Sequence, residues 1–415
     1  EVRGPWAAGG RPTMILGAAA HDALTIADLR RIARRKVPRA VFDFIDGGAE
    51  DEITLRENRA AFERCRLLPL MLTDVHEVNL ETTVAGQRLT APIMLAPTGL
   101  CGMARPRGEV SVARAADRAG IPFVVSCMSA VSWADLVHEV PATTWCQIYI
   151  WRNRDAMRSL LERALELGFE VLVTTVDVPV IGQRERDHRN DVTVPPRITL
   201  RNAIDVVRRP RWLAGLLFGP PVEYANLVDG RRGRRPFALS QWVNQEFDPA
   251  ASWADVERIR SLWPRRLFVK GILAPADAKR ALAIGVDGVV VSNHGGRQLD
   301  GAIASLDALR AVADAVGDSA ELVLDGGVRR GSDILKALAL GARACMVGRP
   351  YLYGLAAAGE QGVARAIEIL VAELRRAMAL CGVRSTAEIS ADLIAESSAP
   401  PATARSNPEG LVGFP

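Results

Sequence analysis

Residues 266–295, RLFVKGILAPADAKRALAIGVDGVVVSNHG, contain a complete strand–helix–strand unit that decides the fold class. The runs at 266–272 and 288–295 are apolar without alternation, which is typical of parallel strands that are covered on both faces. Between them, apolar residues recur every three or four positions and the pattern stops at Gly285, as in an amphipathic helix. The stretch therefore predicts two parallel strands joined by a helix.

The same unit repeats along most of the chain. Eight runs qualify as strands, and seven of them lack any apolar–polar alternation. Eight β/α units in succession predict an α/β fold, the TIM (β/α)8 barrel. A doubly wound sheet is the rival arrangement, but no candidate strand is followed by GxGxxG. The candidate strands are residues 91–99, 122–128, 143–150, 171–178, 266–272, 288–295, 321–327 and 344–349.

The rest of the chain divides into an N-terminal helical segment, an insertion and two terminal extensions. Residues 22–64 have a helical pattern with Thr25 as an N-cap. The interval 197–250 is rich in Pro, Gly and Arg and forms a long insertion after the fourth strand, and such connections are usually functional or disordered. The predicted layout is a disordered extension over 1–21, a barrel domain over 22–394 (helical segment 22–90, barrel 91–394, insertion 197–250) and a disordered tail over 395–415.

Composition and charge argue against several classes of protein. The 415 residues carry a formal net charge of +4, which does not favour a nucleic-acid binder. The six cysteines are scattered without a CxxC pair, so neither a disulfide framework nor a zinc site is expected. No apolar run approaches the roughly 20 residues of a spanning helix, and no signal peptide is recognisable. We expect a cytoplasmic protein with no metal site.

Polar side chains stand at the ends of the predicted strands, where TIM barrels form their active sites. Among the five histidines, His294 alone has this setting. Such a histidine can be purely structural, but Asp177 ends a nearby strand and could orient the imidazole and stabilise its charge. The pair predicts a catalytic base. The full strand-end set is Thr98, Ser126, Gln147, Tyr149, Thr175, Asp177, Lys270, His294, Arg297, Asp325, Arg329 and Arg349.

Glycine-rich loops follow the last two predicted strands, LDGGVRRGSDI at 324–334 and MVGRP at 346–350. Glycine lets the backbone approach a ligand closely, and the next helix offers its N-terminus. Arg329 and Arg349 add positive charge. Because these two loops are the usual phosphate site of a TIM barrel, the sequence predicts a phosphorylated ligand.

The chain resembles the FMN-dependent 2-hydroxy acid dehydrogenases and oxidases, a family that includes glycolate oxidase, flavin L-lactate dehydrogenase and mandelate dehydrogenase. The motifs SNHGGRQLDG and LDGGVRRGSDILKALALGA carry the resemblance. GGAEDE, APTG, TVDVPVIGQRERDHRN and VKGI support it. It extends from about residue 22 to about residue 390, and RERDHRN and RPRWL are most similar to the mandelate and lactate dehydrogenase branch.

The resemblance implies FMN as the cofactor and a catalytic role for four residues. His294 would be the active-site base, with Asp177 as its partner, and Tyr149 would hydrogen-bond the substrate hydroxyl or the forming carbonyl. Lys270 would lie by the flavin N1 and C2 oxygen, where negative charge develops. The implied FMN-binding residues are Pro97, Thr98, Gly99, Ser126, Gln147, Thr175, Lys270, Ser292, Asp325, Gly327, Arg329, Gly348 and Arg349.

The resemblance also implies the substrate site, where one residue departs from the family pattern. Arg297 and Arg184 would bind the substrate carboxylate, for which planar two-point donors are suited. The family usually has a second tyrosine before GGAEDE, and this chain has Phe44. Loss of a charge-assisted hydrogen bond of about 1.5 to 3 kcal/mol would weaken carboxylate binding. With Met128 as an adaptable apolar wall, we expect a bulky or aromatic substrate such as mandelate, with lactate as the alternative.

The implied reaction is the oxidation of an (S)-2-hydroxy acid to the 2-oxo acid, with electrons passing from FMN to quinone or oxygen. An oxygen-using oxidase of the glycolate oxidase type is the nearest alternative. Two others come from different classes: an aldolase barrel with Lys270 as a Schiff base, and a barrel that binds a phosphorylated ligand without turnover.

Residues 201–237 form the most basic part of the insertion, with eight arginines against three acids around the apolar stretch WLAGLLF. An ordinary insertion that covers a helix is one interpretation. The other is peripheral attachment to the inner face of the cell membrane through Trp212, Leu216 and Phe218, which the resemblance to mandelate dehydrogenase supports. Quinone would then be the acceptor. The resemblance further implies a homo-oligomer, a tetramer.

Overall fold

The computed structural model describes residues 20–190, 192, 202–227 and 246–395. The predicted extension up to residue 19, the tail beyond residue 395 and the remaining parts of the insertion lie outside the described residues. In chain order the strands are β1 (Thr82–Val84), β2 (Gln87–Leu89), β3 (Ile93–Leu95), β4 (Val124–Ser126), β5 (Trp145–Tyr149), β6 (Val171–Thr175), β7 (Arg266–Ile272), β8 (Gly288–Ser292), β9 (Glu321–Asp325) and β10 (Ala344–Val347).

Eight of these strands form the predicted barrel. They pair in parallel in the order β3, β10, β9, β8, β7, β6, β5, β4. A parallel bridge between Leu95 and Phe123 joins β3 to the residues just before β4 and so closes the ring. The TIM-barrel prediction is confirmed, and all eight predicted strands are present.

Helices connect the strands and cover the barrel. An example is the helix Ser305–Val316, which packs its buried residues Leu306, Leu309 and Val312 toward β8 and β9. The helices are α1 (Ile26–Lys36), α2 (Arg39–Asp46), α3 (Ile53–Arg64), α4 (Gly108–Ala119), α5 (Trp133–Glu139), α6 (Arg154–Glu166), α7 (Glu185–Arg189), α8 (Ala203–Val207), α9 (Pro210–Phe218), α10 (Trp253–Leu262), α11 (Pro275–Ala283), α12 (Ser305–Val316), α13 (Gly331–Ala339), α14 (Arg349–Ala358) and α15 (Glu360–Leu380). Among the described residues, no helix is both long and apolar enough to cross a membrane.

The N-terminal segment begins with the predicted cap. The Oγ1 of Thr25 accepts a hydrogen bond from the Asp28 amide at 3.1 Å, and the Asp28 carboxylate accepts one from the Thr25 amide at 2.9 Å. Helices α1 to α3 follow, but the prediction of a helical segment up to residue 90 was wrong for its last part. There, β1 and β2 form an antiparallel hairpin around Gly86, whose φ of +77° suits glycine.

This hairpin closes one end of the barrel. Its buried side chains, Val84 and Leu89, belong to the cluster that fills the barrel interior. The interior is packed tightly: a Cβ at Gly288 would clash with the ring of Phe268. The core of the barrel therefore has no room for a ligand, and the open end at the carboxyl ends of the strands is left for the site.

Candidate active site

A cavity opens where the loops after the barrel strands meet. The loops after β3, β8, β9 and β10 supply most of its wall, and α2, the insertion and the carboxyl ends of the other strands with their loops supply the rest. The cavity lies at the carboxyl ends of the strands, where the sequence predicted the site. The predicted residues that line it are Phe44, Pro97, Thr98, Gly99, Met128, Tyr149, Arg184, Lys270, His294, Arg297, Asp325, Gly327, Arg329, Gly348 and Arg349.

His294 and Asp177 form the predicted pair. The Nδ1 of His294 lies 2.9 Å from the Oδ1 of Asp177, and both side chains are largely buried. Burial would raise the pKa of Asp177, but His294 and Lys270 outweigh it and hold this pKa below its usual value. Burial lowers the pKa of His294, since Asp177 only partly opposes it. An ionised Asp177 therefore accepts the Nδ1 proton, and a neutral imidazole presents its Nε2 as an acceptor.

The backbone at His294 is held in the left-handed region, with φ +58°. Its amide donates to the Oγ of Ser292 at 3.0 Å, which fixes the start of the loop. Non-glycine residues seldom adopt this conformation, and it concentrates at functional sites.

Lys270 stands beside the pair in an ion-paired setting. Its Nζ lies 2.9 Å from the Oδ2 of Asp325 and donates to the Oγ of Ser292 at 3.0 Å. Burial opposes the charge, but Asp325 and Asp177 outweigh it and raise the pKa of Lys270. A Schiff-base lysine needs an unprotonated amine, so the ion pair argues against the aldolase alternative.

Two arginines, Arg297 and Arg184, face the same cavity, and among the described residues neither forms a close ion pair, although the Asp187 carboxylate acts electrostatically on both. Arg297 donates to the backbone carbonyls of Phe44 and Gly47 at 2.9 and 2.8 Å, and its guanidinium lies 5.5 Å from the centre of the Phe44 ring. Burial and the nearby Arg184 and Arg349 hold the pKa of Arg297 well below its ordinary value. The Nε of Arg184 is buried with no hydrogen-bond partner in the described part of the chain. This excess of positive charge suits an anion.

A second cationic pair, Arg329 and Arg349, lines the cavity in the predicted phosphate loops. Arg349 donates only to backbone carbonyls, at 2.8 to 3.2 Å, and Arg329 donates to the carbonyl of its own neighbour at 2.7 Å. Neither has an ion pair with a carboxylate among the described residues, and burial lowers the pKa of both. Buried guanidinium groups that are bonded only to carbonyls fit a phosphate dianion.

Five predicted residues do not line the cavity. Asp177 and Ser292 lie behind its wall, where they hold His294 and Lys270. The other three form a buried chain below it. The Oγ of Ser126 donates to Gln147 at 2.7 Å, and Gln147 donates to the Oγ1 of Thr175 at 2.9 Å. Direct contact of these three with the cofactor stays a prediction.

Two aromatic residues that the sequence did not indicate also line the cavity, Tyr224 and Phe247. Both are 7% exposed. Phe247 makes an edge contact with the ring of Tyr149, with centroids 5.2 Å apart, and pairs with Trp151 across an isolated bridge. Both residues belong to the insertion over 197–250, and nothing in its sequence pattern placed them at the cavity.

Comparison with known proteins agrees with this geometry. A model of the family described as FMN-dependent dehydrogenase matches residues 33–396. An L-lactate dehydrogenase of Azorhizobium caulinodans is 42% identical over 88% of this chain and 96% of its own, and an L-lactate oxidase of Nostoc sp. is 44% identical over 88% and 96%.

A solved structure described as the monotopic membrane protein (S)-mandelate dehydrogenase superposes with a TM-score of 0.86 at 37% identity. It covers 90% of this chain and 99% of that one. The fold, the arginine-lined cavity and the extent of these matches lead to one conclusion: the chain belongs to the FMN-dependent dehydrogenase family, and FMN is its cofactor.

Proposed function

We propose that this protein oxidises a 2-hydroxy acid to the 2-oxo acid at the cavity between His294 and the two arginine pairs. The observation that carries the proposal is one arrangement: a neutral buried histidine, oriented by an ionised aspartate at 2.9 Å, faces two arginines that form no close ion pair among the described residues. A base and an anion site on one wall suit a substrate that carries a carboxylate next to the carbon to be oxidised.

Each protein group has a defined task in this reaction. Arg297 and Arg184 bind the substrate carboxylate, which places the hydroxyl-bearing carbon in front of His294. The Nε2 of His294 takes a substrate proton, and Asp177 stabilises the imidazolium that results. Tyr149 hydrogen-bonds the substrate oxygen. When bound, FMN supplies the two-electron acceptor.

The proposed cofactor site combines the cation of Lys270 with the two cations of the phosphate loops. Arg329 and Arg349 would hold the phosphate, with Gly327 and Gly348 allowing close approach of the backbone. Lys270 would lie near the flavin ring, where its positive charge would stabilise the negative charge that develops on the flavin. Pro97, Thr98 and Gly99 would contact the ring from the loop after β3.

We propose that the substrate side chain is bulky or aromatic. Phe44, Met128 and Phe247 give the cavity apolar surface beside the arginines, and Val178 and Ile181 add to it. Such a wall suits mandelate, which the solved relative acts on. Lactate, named for the curated relatives, is the alternative.

We further propose quinone as the acceptor and peripheral membrane contact through the insertion. Its described part exposes Ile204, Val207, Leu217 and Phe218, at 61 to 87% of their surface. Trp212 does not contribute as expected, because its Nε1 donates to the Met103 carbonyl at 2.8 Å and its ring packs on the protein core. Residues 228–237 lie outside the described residues. Oxygen as acceptor is the alternative, as the name of the Nostoc relative suggests.

The test is anaerobic mixing of the FMN-loaded protein with a panel of 2-hydroxy acids that includes (S)-mandelate, (R)-mandelate, (S)-lactate and glycolate. Bleaching of the flavin absorbance by an (S)-acid with formation of the 2-oxo acid supports the proposal. Bleaching by none of the acids contradicts it. Reoxidation with a quinone and with oxygen then compares the two acceptors.

A further inference from the structure

Tyr224 belongs to the insertion, yet it lines the active-site cavity and is only 7% exposed. Its hydroxyl has no hydrogen-bond partner among the described residues. The hydroxyl oxygen is also not one of the fully buried polar atoms that lack a partner, so it keeps some accessible surface in a residue that lines the cavity. Buried tyrosine hydroxyls normally have a partner, and one that faces a cavity without a protein partner points to a ligand.

The backbone around Tyr224 is fixed by buried hydrogen bonds to the loop after β4. The Ala225 amide donates to the Ser129 carbonyl at 3.1 Å. The side chain of Asn226, 4% exposed, accepts from the Trp133 amide at 2.7 Å and donates to the Ser129 hydroxyl at 2.9 Å. This part of the insertion is therefore held in place, and Tyr224 has a preorganised position at the cavity.

The hydroxyl is a donor in an electropositive setting. Burial raises the pKa of Tyr224 to about 12, although the Arg184 guanidinium opposes this effect. The group therefore keeps its proton at neutral pH and can donate to an anion that Arg184 attracts. The Nε of Arg184 is itself buried without a partner in the described chain. Phe44, which also lines the cavity, offers a ring and a carbonyl that is already bonded to Arg297, but no donor.

We propose that Tyr224 donates a hydrogen bond to the substrate carboxylate beside Arg184 and so supplies the donor that Phe44 lacks. The inference rests on the proposed function, because it needs a carboxylate substrate in this cavity. It makes the insertion part of the substrate site, in addition to any contact that its outer surface makes.

A double-mutant cycle tests this role, with Tyr224→Phe, Phe44→Tyr and the combined variant. The FMN-loaded proteins are titrated by calorimetry with pyruvate and phenylglyoxylate, and with the primary amide of the acid that binds more tightly. We expect Tyr224→Phe to weaken binding of the acid about ten- to a hundredfold, which corresponds to one hydrogen bond to a charged group. Binding of the amide should change less than about threefold. Phe44→Tyr should restore much of the loss in the Tyr224→Phe background and add little to the unmodified protein.

Several outcomes overturn the role. Unchanged acid binding in Tyr224→Phe, with normal FMN content and melting temperature, shows that the hydroxyl makes no such bond. Equal losses for acid and amide place Tyr224 against the substrate side chain instead. Strictly additive effects at positions 44 and 224 contradict a shared donor role. If neither 2-oxo acid binds the unmodified protein, the proposed function fails, and this inference fails with it.

Discussion

At the scale of single residues, His294 combines strain, orientation and a tuned charge state. Its left-handed φ of +58° costs on the order of 1 kcal/mol, which the bonds to Ser292 and Asp177 offset. The strain therefore serves to aim a neutral nitrogen into the cavity, where a proton acceptor is needed.

Replacement of the base tests its role directly. We expect His294→Gln to slow flavin reduction by the best substrate about a hundredfold to ten-thousandfold, because a positioned general base contributes that much. FMN content should not change, since the variant leaves the proposed phosphate contacts of Arg329 and Arg349 in place. Stopped-flow absorbance measures the rate. His138→Gln, an exposed change on α5, is the matched control and should be silent. Reduction of the His294 variant at near the normal rate would refute the role.

The pH dependence should report the same residue. His294 accepts a proton only when neutral, so kcat/KM should fall as the pH drops through its pKa, which burial holds below the ordinary 6.5. Asp177 raises this pKa, whereas Lys270 and Arg184 lower it. Asp177→Asn should therefore move the acidic limb of the kcat/KM profile to lower pH. It should also lower the plateau value of kcat/KM, because the imidazolium loses its counter-charge. A limb that shifts to higher pH in this variant would contradict the assignment.

The phosphate assignment concerns Arg329 and Arg349. We expect the Arg329→Ala, Arg349→Ala double variant to be purified with little FMN, because each arginine would lose a charge-assisted bond of about 1.5 to 3 kcal/mol. The ratio of flavin to protein absorbance measures the loss. Arg310→Ala, which removes an exposed ion pair on α12, is the control. Full flavin content in the double variant would place the phosphate elsewhere.

Among the secondary-structure elements, the pattern of apolar residues predicted the barrel strands, because this pattern depends only on neighbouring positions in the chain. Parallel strands are covered on both faces, so they can be recognised in the sequence as continuous apolar runs. The residues at the carboxyl ends of these strands then lie at the site. The hairpin over 82–89 escaped prediction because strands of three residues carry too little periodicity. Tyr224 and Phe247 escaped because their place at the cavity depends on the path by which a long insertion returns to the barrel. No spacing in the sequence encodes that path.

The buried carboxylate of Asp46 joins α2 to three other helices. Asp46 at the end of α2 accepts hydrogen bonds from Arg30 of α1 at 2.6 and 2.7 Å, from Arg186 of α7 at 3.1 Å and from Tyr353 of α14 at 2.7 Å. Burial would raise the pKa of Asp46, but its bonds to Arg30 and Tyr353 outweigh it and lower the pKa from 3.8 to about 2. A depressed carboxylate pKa adds stability that is present above pH 3.8 and lost as the pH falls toward 2.

We therefore expect Asp46→Asn to lower the free energy of unfolding by about 2 kcal/mol at neutral pH, since the shift of nearly two units has this order of magnitude. Urea unfolding at pH 7 measures the change. Asp314→Asn breaks an exposed i,i+4 pair with Arg310 and should cost less than about 0.5 kcal/mol. An equal loss of unfolding free energy in the two variants would show that the buried hydrogen bonds of Asp46 do not stabilise the fold.

At the scale of the whole molecule, one insertion bears on both the substrate and the proposed membrane contact. Its inner face brings Tyr224 to the cavity, while α8 and α9 on its outer side expose apolar side chains next to Arg208 and Arg211. Apolar residues flanked by arginines suit the interface of an anionic bilayer.

The exposed apolar residues of α9 allow a direct test of the proposed membrane contact. We expect Leu217→Ser combined with Phe218→Ser to reduce sedimentation with vesicles of anionic phospholipid at least several-fold, because burial of two large side chains contributes about 1.5 to 3 kcal/mol each. Oxidation of the substrate with a water-soluble acceptor should be unchanged. Leu380→Ser, at a site 67% exposed on the last residue of α15, controls for a general loss of hydrophobicity. If the double variant and the control sediment alike, α9 does not dock. If neither the variants nor the unmodified protein sediments, the exposed apolar side chains have another use, and quinone loses its structural support as the acceptor.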